Sequence, residues 1–547
     1  MGSSCDALRR QVFEGTPPVR TGDVLQRIAL ENPEGIAYRM LDSGESVTWS
    51  QLELRSRKCA ALLLSRGLRP HDGIAVYLEN HLRYFEILWA AHRIGLYYTT
   101  ISRHLKASEM LYIVQDCGAK ALFTSQTLLD AAPAIDASTL SLARFVLNDS
   151  AANGSPYENA LESIDDAQDL PDTPEGTDFS YSSGTTGKPK GIKRTLESAN
   201  KHFNAVPDAR TAWKNFDART VYLSTAPFYH TAPVRWNMNV MRQGGSCVLM
   251  EKFDALKALE AIERFRITHT QWVPTMFIRL LRLPEAERLR HDLSSMRVAV
   301  HAAAPCPVWV KEAMIAWWGP LLYEYYSGTE LIGRTSLNSV EWLQHKGSVG
   351  RVEFGALHVV DESGAELPAG TPGVIYFSGG PPFQYHNDPE RTKQAYNTRG
   401  WATYGDIGYV DTEGFLYLTD RLANMIISGG VNIYPQETEN VLSRHPAVAD
   451  VAVIGVPNDE FGEEVKAVVQ LQVGTAPTEE LKKGLIDFCR QQLSPLKCPK
   501  TVDFADSLPR TETGKLLKRE VRSRYWPQTS GPLTSLSSRD AGGERQE

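Results

Sequence analysis

The chain has 547 residues, more than one hydrophobic core usually holds, so we expect two or more domains. Hydrophobic residues make up 42% of it and charged residues 22%, which is typical of a soluble globular protein and excludes a disordered or fibrous chain. The net formal charge is −7 with both signs interspersed, so no basic face predicts nucleic acid as a partner.

From residue 23 to about residue 170 the chain alternates between helical and strand-like patterns. Helical spacing at 50–66 and 84–94 flanks a short apolar strand at 73–77, which is the βαβ pattern of a parallel sheet. The acidic, Pro- and Ser-rich segment 153–178 is predicted to be a surface connection. Four further strands are predicted after it, at 220–224, 246–250, 269–273 and 296–302.

The pattern changes near residue 420. Helices are predicted at 437–444 and 479–492, and strands at 448–456, 465–472 and 501–504. We therefore predict an α/β protein with a large N-terminal α/β domain of several subdomains (1–420), a small α+β C-terminal domain (425–526) and a disordered tail (527–547).

Cysteine usage and hydropathy predict the compartment. The seven cysteines are scattered, with no C-x-x-C pair and no zinc-like His spacing, which favours a reducing environment. No apolar run approaches the ~20 residues of a membrane span, and the N-terminus lacks the apolar core of a secretory signal. We expect a cytoplasmic protein with no membrane span. The oligomeric state stays open, a homodimer included.

The strongest motif is a run of small hydroxyl residues and glycines that ends in two lysines. Glycines let backbone N–H groups approach an anion, hydroxyls donate to its oxygens and lysines neutralise its charge. It is not a Walker loop, because Pro189 rather than Ser or Thr follows Lys188. We predict phosphate binding by Tyr181-Ser182-Ser183-Gly184-Thr185-Thr186-Gly187-Lys188-Pro189-Lys190-Gly191.

Further motifs follow in a fixed order. They are Ala226-Pro227-Phe228-Tyr229-His230, His301-Ala302-Ala303-Ala304-Pro305, Tyr326-Ser327-Gly328-Thr329-Glu330, Tyr404-Gly405-Asp406, Asp420-Arg421, Ser428-Gly429-Gly430 and Pro509-Arg510-Thr511-Glu512-Thr513-Gly514-Lys515. With these motifs, the chain resembles the superfamily of acyl-CoA synthetases, peptide-synthetase adenylation domains and firefly-type luciferases. The resemblance covers nearly the whole chain and implies that superfamily's fold, with a mobile C-terminal domain.

The resemblance implies a site for ATP and Mg²⁺. Glu330 and Thr185 are implied to hold Mg²⁺, which prefers oxygen ligands and substrate phosphates. Asp406 and Arg421 are implied to contact the ribose, and Thr329 the α-phosphate. The other implied nucleotide-binding residues are Ser182, Ser183, Gly184, Thr186, Gly187, Lys188 and Lys190 for the phosphates and Ala303, Ala304 and Tyr326 for the adenine.

The resemblance also implies how the acid and coenzyme A are handled. His230 is implied to close the acid pocket, Gly429 and Gly430 to border the coenzyme A channel, and Lys515 to enter the site for adenylation. The implied catalytic residues are therefore Lys515, Thr185, Glu330 and His230. A hinge is implied at 421–424, where Ala423 and Asn424 replace the superfamily's usual charged residues.

The predicted activity is that of an ATP-dependent acid:CoA ligase that forms an acyl-adenylate and then a thioester, releasing AMP and pyrophosphate. Thr231 stands where peptide-synthetase relatives place Asp, so a free amino acid is disfavoured. Two apolar sets could line an acid pocket, or could equally be ordinary core: Val234, Met238 and Met241, and Trp272, Met276 and Phe277. Fatty, aryl-alkanoic and steroid side-chain acids all remain open.

Three alternatives remain. An enzyme that loads a carrier-protein phosphopantetheine would form the same adenylate, and the absence of a carrier-like domain after Lys515 speaks for free CoA. A luciferase-like oxygenase would also use the adenylate, but no residue calls for oxygen. A non-enzymatic nucleotide-binding protein is suggested by Ser327, Ala423 and Asn424. The retention of both Glu330 and Lys515 argues against it.

Overall fold

The computed structural model describes residues 21–131, 143–147, 155–165, 169–182, 189–196, 216–511 and 515–526. The chain forms two compact units. The large unit comprises Met1–Ala423 and Arg510–Lys515, and the small unit comprises Asn424–Pro509 and Leu516–Glu547. The boundary after Ala423 lies in the segment where the resemblance implies a hinge. The predicted tail at 527–547 lies outside the described residues.

The large unit contains short strands. In chain order they are β1 (Ile36–Met40), β2 (Ser46–Thr48), β3 (Gly73–Tyr77), β4 (Tyr97–Thr100), β5 (Ala119–Ser125), β6 (Ala143–Leu147), β7 (Thr177–Asp178), β8 (Ser180–Ser182), β9 (Lys190–Ile192), β10 (Val221–Ser224), β11 (Ser246–Leu249), β12 (His269–Trp272), β13 (Val298–His301), β14 (Leu322–Tyr326), β15 (Arg334–Asn338), β16 (Arg351–Phe354), β17 (Ala356–Val360), β18 (Gly373–Ser378), β19 (Asp406–Val410) and β20 (Leu416–Arg421).

Helices connect many of these strands. In chain order they are α1 (Thr21–Glu31), α2 (Trp49–Ser65), α3 (Tyr84–Arg93), α4 (Ala107–Asp116), α5 (Gln126–Ala131), α6 (Pro156–Glu162), α7 (Thr231–Arg242), α8 (Ala255–Phe265), α9 (Pro274–Leu281), α10 (Glu285–Leu289), α11 (Val308–Trp318), α12 (Ser339–Gln344) and α13 (Pro389–Gln394). Helix α2 begins at a capping box, in which Thr48 Oγ1 accepts from the Gln51 N–H and Gln51 Oε1 accepts from the Thr48 N–H.

Two mainly parallel sheets form the core of the large unit. Among the described residues, the larger sheet has nine strands in the order β16-β15-β14-β13-β12-β10-β11-β1-β2, and the smaller has five in the order β6-β5-β3-β4-β7. Strand β3 is buried at every position, which explains its continuous apolar sequence. Strands β10, β12, β13 and β14 run parallel, so their carboxyl ends share one edge, where ligands usually bind in such sheets.

Two smaller antiparallel elements complete the large unit. Strands β17, β18, β19 and β20 form a sheet in that order, and β8 and β9 form a hairpin. Hairpin β8–β9 flanks the predicted phosphate loop, and β19 begins at Asp406. The sequence therefore places both elements next to candidate nucleotide-binding residues.

The prediction of a surface connection at 153–178 is wrong at both ends of the segment, while the described residues between them, 163–165 and 169–174, are mostly exposed. This segment contains α6 and β7, and the side chain of Tyr157 is fully buried and donates a hydrogen bond to Glu86 at 2.7 Å. Glu158 accepts hydrogen bonds from Arg55 and Arg83, each at 2.9 Å. Glu158, Glu175 and Asp178 are buried, although other acidic residues of the segment such as Glu162 and Asp172 are exposed. The buried ones pair with arginines from distant positions, which local composition does not reveal.

The small unit is α+β, as predicted. It contains β21 (Ile426–Ser428), β22 (Val431–Ile433), β23 (Val448–Asn458), β24 (Gly462–Leu471) and β25 (Thr501–Phe504), with α14 (Pro435–Leu442), α15 (Glu479–Arg490) and α16 (Lys518–Arg522). Its sheet has the order β22-β21-β24-β23, and β25 lies parallel to β24. Thr478 is the N-cap of helix α15, and its hydroxyl accepts from the Leu481 N–H at 3.2 Å.

Within the described ranges, none of the helices combines the length and the apolar character that a membrane crossing needs.

Candidate active site

His230 lies where the chain leaves strand β10 and enters helix α7. It occupies the N-cap position of α7, with extended backbone angles, and its ring lies 4.4 Å from the Tyr229 ring. The side chain is half-buried. Because β10 ends at the shared carboxyl edge of the sheet, His230 is at the edge where a ligand is expected.

Ala303 and Ala304 follow β13 at the same edge. Ala303 has a φ of +74°, in the left-handed region that side chains other than glycine adopt at a cost. Such strain is often found at ligand-binding turns, where the surrounding structure maintains it. The strained turn therefore agrees with the predicted role of these two residues.

Strand β14 delivers the motif at 326–330 to this edge. The Tyr326 hydroxyl donates to Asp406 Oδ2 at 2.6 Å, and Arg421 Nε lies 3.2 Å from Asp406 Oδ1. Each carboxylate oxygen can accept a second hydrogen bond, so Asp406 can still receive ribose hydroxyls. The structure brings Tyr326, Asp406 and Arg421 together, although 80 residues separate Tyr326 from Asp406.

The serine in this motif is compatible with the turn. Ser327 is not among the described residues with positive φ, and its hydroxyl donates to the Gly333 carbonyl at 3.0 Å. Gly328 is the demanding position, because a Cβ there would lie 2.3 Å from the Tyr404 ring. The turn therefore needs glycine at 328 and accepts serine at 327. Thr329, next in the motif, is half-buried.

Glu330 is held by a residue that the sequence did not single out. The Tyr385 hydroxyl donates to Glu330 Oε1 at 2.8 Å, and Lys190 Nζ lies 4.7 Å from the centroid of the Tyr385 ring. Burial and the Glu330 carboxylate raise the pKa of Tyr385, so its hydroxyl remains a donor. Burial lowers the pKa of Lys190, and the Glu330 carboxylate opposes that shift.

Tyr385→Phe should raise the Mg²⁺ concentration needed for half-maximal adenylation by about fivefold, since one hydrogen bond is worth roughly 1 kcal/mol. The KM for the acid should stay unchanged, because the phenyl ring keeps its packing against Phe383. Pyrophosphate release measured against Mg²⁺ concentration tests this. An unchanged Mg²⁺ dependence would exclude Tyr385 as the residue that orients Glu330.

Lys515 lies with the large unit, in the segment Arg510–Lys515. Burial, together with the positive charges of Arg421 and Lys190, lowers its pKa to about 8, while Asp406 and Glu330 oppose that shift. Its backbone N–H donates to Thr511 Oγ1 at 3.0 Å. The candidate residues Lys190, Glu330, Asp406, Arg421 and Lys515 thus influence one another electrostatically.

The lowered pKa of Lys515 predicts a pH dependence. The ammonium group is charged below pH about 8 and neutral above it, so kcat/KM for ATP should fall as the pH rises through about 8. Lys515→Arg should abolish this decline, because a guanidinium keeps its charge. Pyrophosphate release from pH 6 to pH 10 tests both forms. An identical alkaline decline in Lys515→Arg would assign the titration to another group.

Oxygen donors suit the implied Mg²⁺. Among the described residues, no three His, Cys, Asp or Glu side chains cluster as a metal site. A cation here would therefore rest on the Glu330 carboxylate, whose Oε1 is oriented by Tyr385, and on phosphate oxygens of the nucleotide. One carboxylate with phosphate oxygens is the donor set that Mg²⁺ commonly accepts, so the residues present are compatible with it.

Several predicted phosphate-binding residues lie outside the described part of the chain, namely Ser183, Gly184, Thr185, Thr186, Gly187 and Lys188. Ser182 and Lys190 flank them and pair with each other in hairpin β8–β9. The hairpin therefore brings the two ends of the predicted loop together.

Gly429 and Gly430 belong to the small unit. They form the two-residue turn between β21 and β22, with φ of +57° and +79°. Two consecutive positive φ values are what a tight hairpin of this kind requires. The backbone conformation of this turn thus explains why both positions are glycine, from within the small unit itself.

A buried ion network joins the β8–β9 hairpin to α7. Asp178 accepts hydrogen bonds from Arg194 at 2.8 Å, from Arg235 at 2.8 Å and from Ser180 at 2.6 Å. Burial by itself raises the pKa of Asp178, but the two guanidinium groups outweigh it and lower the pKa. Thr231 donates to Ser180 at 2.8 Å. The base of the phosphate-loop hairpin is therefore fixed to the helix that begins after His230.

The two apolar sets considered for the acid pocket are core. All six side chains are buried: Val234, Met238 and Met241 in the cluster around α3, and Trp272, Met276 and Phe277 in the cluster around α9 and α11. Of the two interpretations of these sets, the ordinary-core one is correct. An acid pocket that uses α7 would therefore be lined by another face of this helix.

Comparison with known proteins decides the family. A model of the AMP-binding enzyme family matches residues 25–383, more than half of the chain, and a model of the AMP-binding enzyme C-terminal domain matches residues 437–515. The chain belongs to the AMP-binding enzyme family. It is an AMP-forming acid–thiol ligase with the α/β architecture predicted from its motifs.

Relatives within the AMP-binding enzyme family match the chain over most of its length. The long-chain-fatty-acid–CoA ligase FadD13 of Mycobacterium tuberculosis is 31% identical, covering 92% of this chain and 98% of its own. The feruloyl-CoA synthase of an Amycolatopsis species is 32% identical, with coverages of 91% and 98%. The fatty acid–[acyl-carrier-protein] ligase ScoC of Streptomyces coeruleorubidus is 30% identical, with coverages of 89% and 93%.

A solved structure shares the fold. The ATP-bound MatB from Rhodopseudomonas palustris superimposes with a TM-score of 0.79 at 27% identity, over 92% of this chain and 99% of that one. The named relatives act on different acids at nearly equal identity, so the choice of acid is not decided by similarity.

Proposed function

We propose that this AMP-binding enzyme is an acid:CoA ligase that uses ATP and Mg²⁺ to adenylate a hydrophobic carboxylic acid and then transfers the acyl group to coenzyme A, releasing AMP and pyrophosphate. The observation that carries the proposal is the convergence of Lys190, Glu330, Asp406, Arg421 and Lys515 beside the carboxyl edge of the large sheet. The two carboxylates suit Mg²⁺ and the ribose of a bound nucleotide. The three cations suit its phosphates and the negative charge that develops on the α-phosphoryl oxygens during adenylation.

The nucleotide would be bound in three parts. Asp406 and Arg421 would receive the ribose, and the strained turn at Ala303 and Ala304 would lie against the adenine with Tyr326. Thr329 would approach the α-phosphate. The glycine-rich segment from Ser182 to Lys190 would enclose the remaining phosphates, with Lys188 and the hydroxyl of Thr185 as donors.

In the first step a carboxylate oxygen of the acid attacks the α-phosphorus, and the bond to pyrophosphate breaks. Lys515 would neutralise charge that develops on the transferred phosphoryl oxygens, an effect worth ~4 kcal/mol at 4 Å and an effective dielectric near 20. Bound Mg²⁺, held by Glu330 with the Thr185 hydroxyl, would supply further neutralisation of the phosphate oxygens.

In the second step the thiolate sulfur of coenzyme A attacks the acyl carbon, and AMP leaves with the bonding electron pair. His230 would limit the acid pocket next to the reacting carbonyl. Gly429 and Gly430 would border the path of the thiol. We propose a hinge at 421–424, because the boundary of the two units follows Ala423 and a short hinge needs only residues that can change their dihedral angles.

Fatty, aryl-alkanoic and steroid side-chain acids are the candidate substrates. Relatives named for a fatty acid and for ferulate at nearly equal identity support this range. A second candidate function is loading of a carrier protein, which the similarity to ScoC favours. The two functions share the adenylation step and differ only in the thiol.

The test is a panel of acids with ATP and Mg²⁺, in which pyrophosphate release and thioester formation are measured with coenzyme A or with a phosphopantetheinylated carrier protein. We expect release with at least one acid and thioester only with coenzyme A. Thioester only on the carrier would establish the second function. No pyrophosphate with any acid would refute adenylation.

A further inference from the structure

The accessible face of α7 is aromatic and polar. Seven of its residues are buried, and those left partly accessible are Thr231, Ala232, Arg235, Trp236 and Asn239. Thr231 and Arg235 contact the 178–180 segment. Trp236 instead faces the large sheet, where its ring stacks on Tyr222 with a centroid distance of 6.2 Å and an interplanar angle of 18°.

Tyr325 extends this aromatic surface across the sheet. Neighbouring side chains of a strand point to opposite faces, so Tyr326 turns towards Asp406 while Tyr325 turns towards α7. Tyr325 packs with Trp236 and Val300, and its hydroxyl accepts a hydrogen bond from Gln271 Nε2 at 3.3 Å. Gln271 Oε1 in turn accepts from the Tyr222 hydroxyl at 3.4 Å.

These four side chains form one continuous barrier, from Trp236 on α7 through Tyr325 and Gln271 to Tyr222 on β10. Two guanidinium groups lie beside it. Arg334 stands 5.7 Å from the centroid of the Tyr325 ring and Arg235 interacts electrostatically with the Tyr325 hydroxyl. Both guanidiniums are already paired with carboxylates, Arg235 with Asp178 and Arg334 with Glu353. Planar cations and aromatic rings favour stacking with another planar ring, a contact that an alkyl chain cannot make.

The position of the barrier limits the length of the acid. Trp236 is six residues beyond His230, which is roughly 9 Å along the helix axis. A long acyl chain extends roughly 15 Å, half the ~30 Å hydrocarbon core that two leaflets fill. An acid whose carboxylate lies near His230 would therefore meet Trp236 and Tyr325 before a long chain was accommodated.

We propose that the acid of this enzyme is compact and aromatic, with its ring against Trp236 and Tyr325, and that Tyr325 excludes long acyl chains. The inference rests on the proposed function, because it presumes that the protein adenylates an acid. It narrows the open substrate classes to aryl acids and identifies Tyr325, three positions before Gly328, as a specificity-determining residue.

The experiment measures pyrophosphate release by the full-length protein with 3-phenylpropanoate, cinnamate, octanoate and palmitate. Wild type should use the aryl acids with at least a hundredfold higher kcat/KM than palmitate. Tyr325→Ala should raise kcat/KM for octanoate and palmitate at least tenfold and lower it for the aryl acids, with the KM for ATP unchanged. Tyr325→Phe should keep the wild-type order, because it retains the ring.

Tyr376→Ala is the matched control, since Tyr376 is a half-buried tyrosine on β18 and should leave the selectivity as in wild type. Palmitate as the preferred acid of wild type would overturn the inference and leave the ligase function standing. Unchanged selectivity in Tyr325→Ala would overturn the assignment of Tyr325. If Tyr325→Ala does not fold, the wild-type panel still tests the preference for aryl acids. Tyr325→Phe then tests whether the aromatic ring alone maintains that preference. No release with any acid would refute the ligase function itself.

Discussion

Lys515→Ala should slow acyl-adenylate formation by about a thousandfold while sparing thioester formation from a preformed acyl-adenylate and coenzyme A. An opposite charge at 4 Å is worth ~4 kcal/mol, and a charge felt only in the transition state converts fully into rate. The ammonium group of Lys515 is buried near Lys190 and Arg421, and this region of net positive potential suits the leaving pyrophosphate. The acyl-adenylate has already lost its pyrophosphate, so the second step should not need Lys515.

Single-turnover measurements of the two half-reactions test this division. Lys500→Ala is the matched control, because Lys500 is an exposed lysine of the small unit and should change neither step. Equal losses in both half-reactions would show that Lys515 serves a general structural role rather than adenylation.

Glu330→Gln should reduce adenylation by roughly 10- to 100-fold, because a charge-assisted contact is worth roughly 1.5–3 kcal/mol. The amide oxygen of glutamine can still accept the hydrogen bond from Tyr385, so the local structure should persist. The variant should lose metal affinity and keep its affinity for metal-free ATP. It should therefore be impaired more strongly than Tyr385→Phe, which keeps the carboxylate.

Binding of Mn²⁺ in the presence of a non-hydrolysable ATP analogue, followed by electron paramagnetic resonance, gives a readout independent of turnover. Glu362→Gln is the control, since Glu362 is exposed in the β17–β18 connection. Wild-type Mn²⁺ affinity in Glu330→Gln would remove Glu330 from the metal site.

The candidate site was partly predictable because its chemistry lies in short motifs. The order of the motifs identified the family, and Tyr326, Asp406, Arg421 and Lys515 do converge in the large unit. The residues that orient them were missed. Tyr385 is 55 positions from Glu330, and the residues around Tyr385 do not indicate that the two side chains are in contact.

Local pattern by itself determined the elements and their type. The apolar run of β3, the capping box at Thr48 and the periodicity of α15 each express a preference that a few neighbouring residues satisfy. The change of pattern near residue 420 likewise separated two units, because each has its own core.

Only the tertiary structure decided which polar groups are buried and which apolar groups face a ligand. Glu158 and Asp178 at the two ends of the acidic segment 153–178 are buried because Arg55, Arg83 and Arg235 reach them from elsewhere in the chain. The apolar stripe of α7 is core, whereas Trp236 of the same helix is only partly buried. Burial of a charge depends on partners distant in sequence, and periodicity within one helix cannot show what packs against each of its faces.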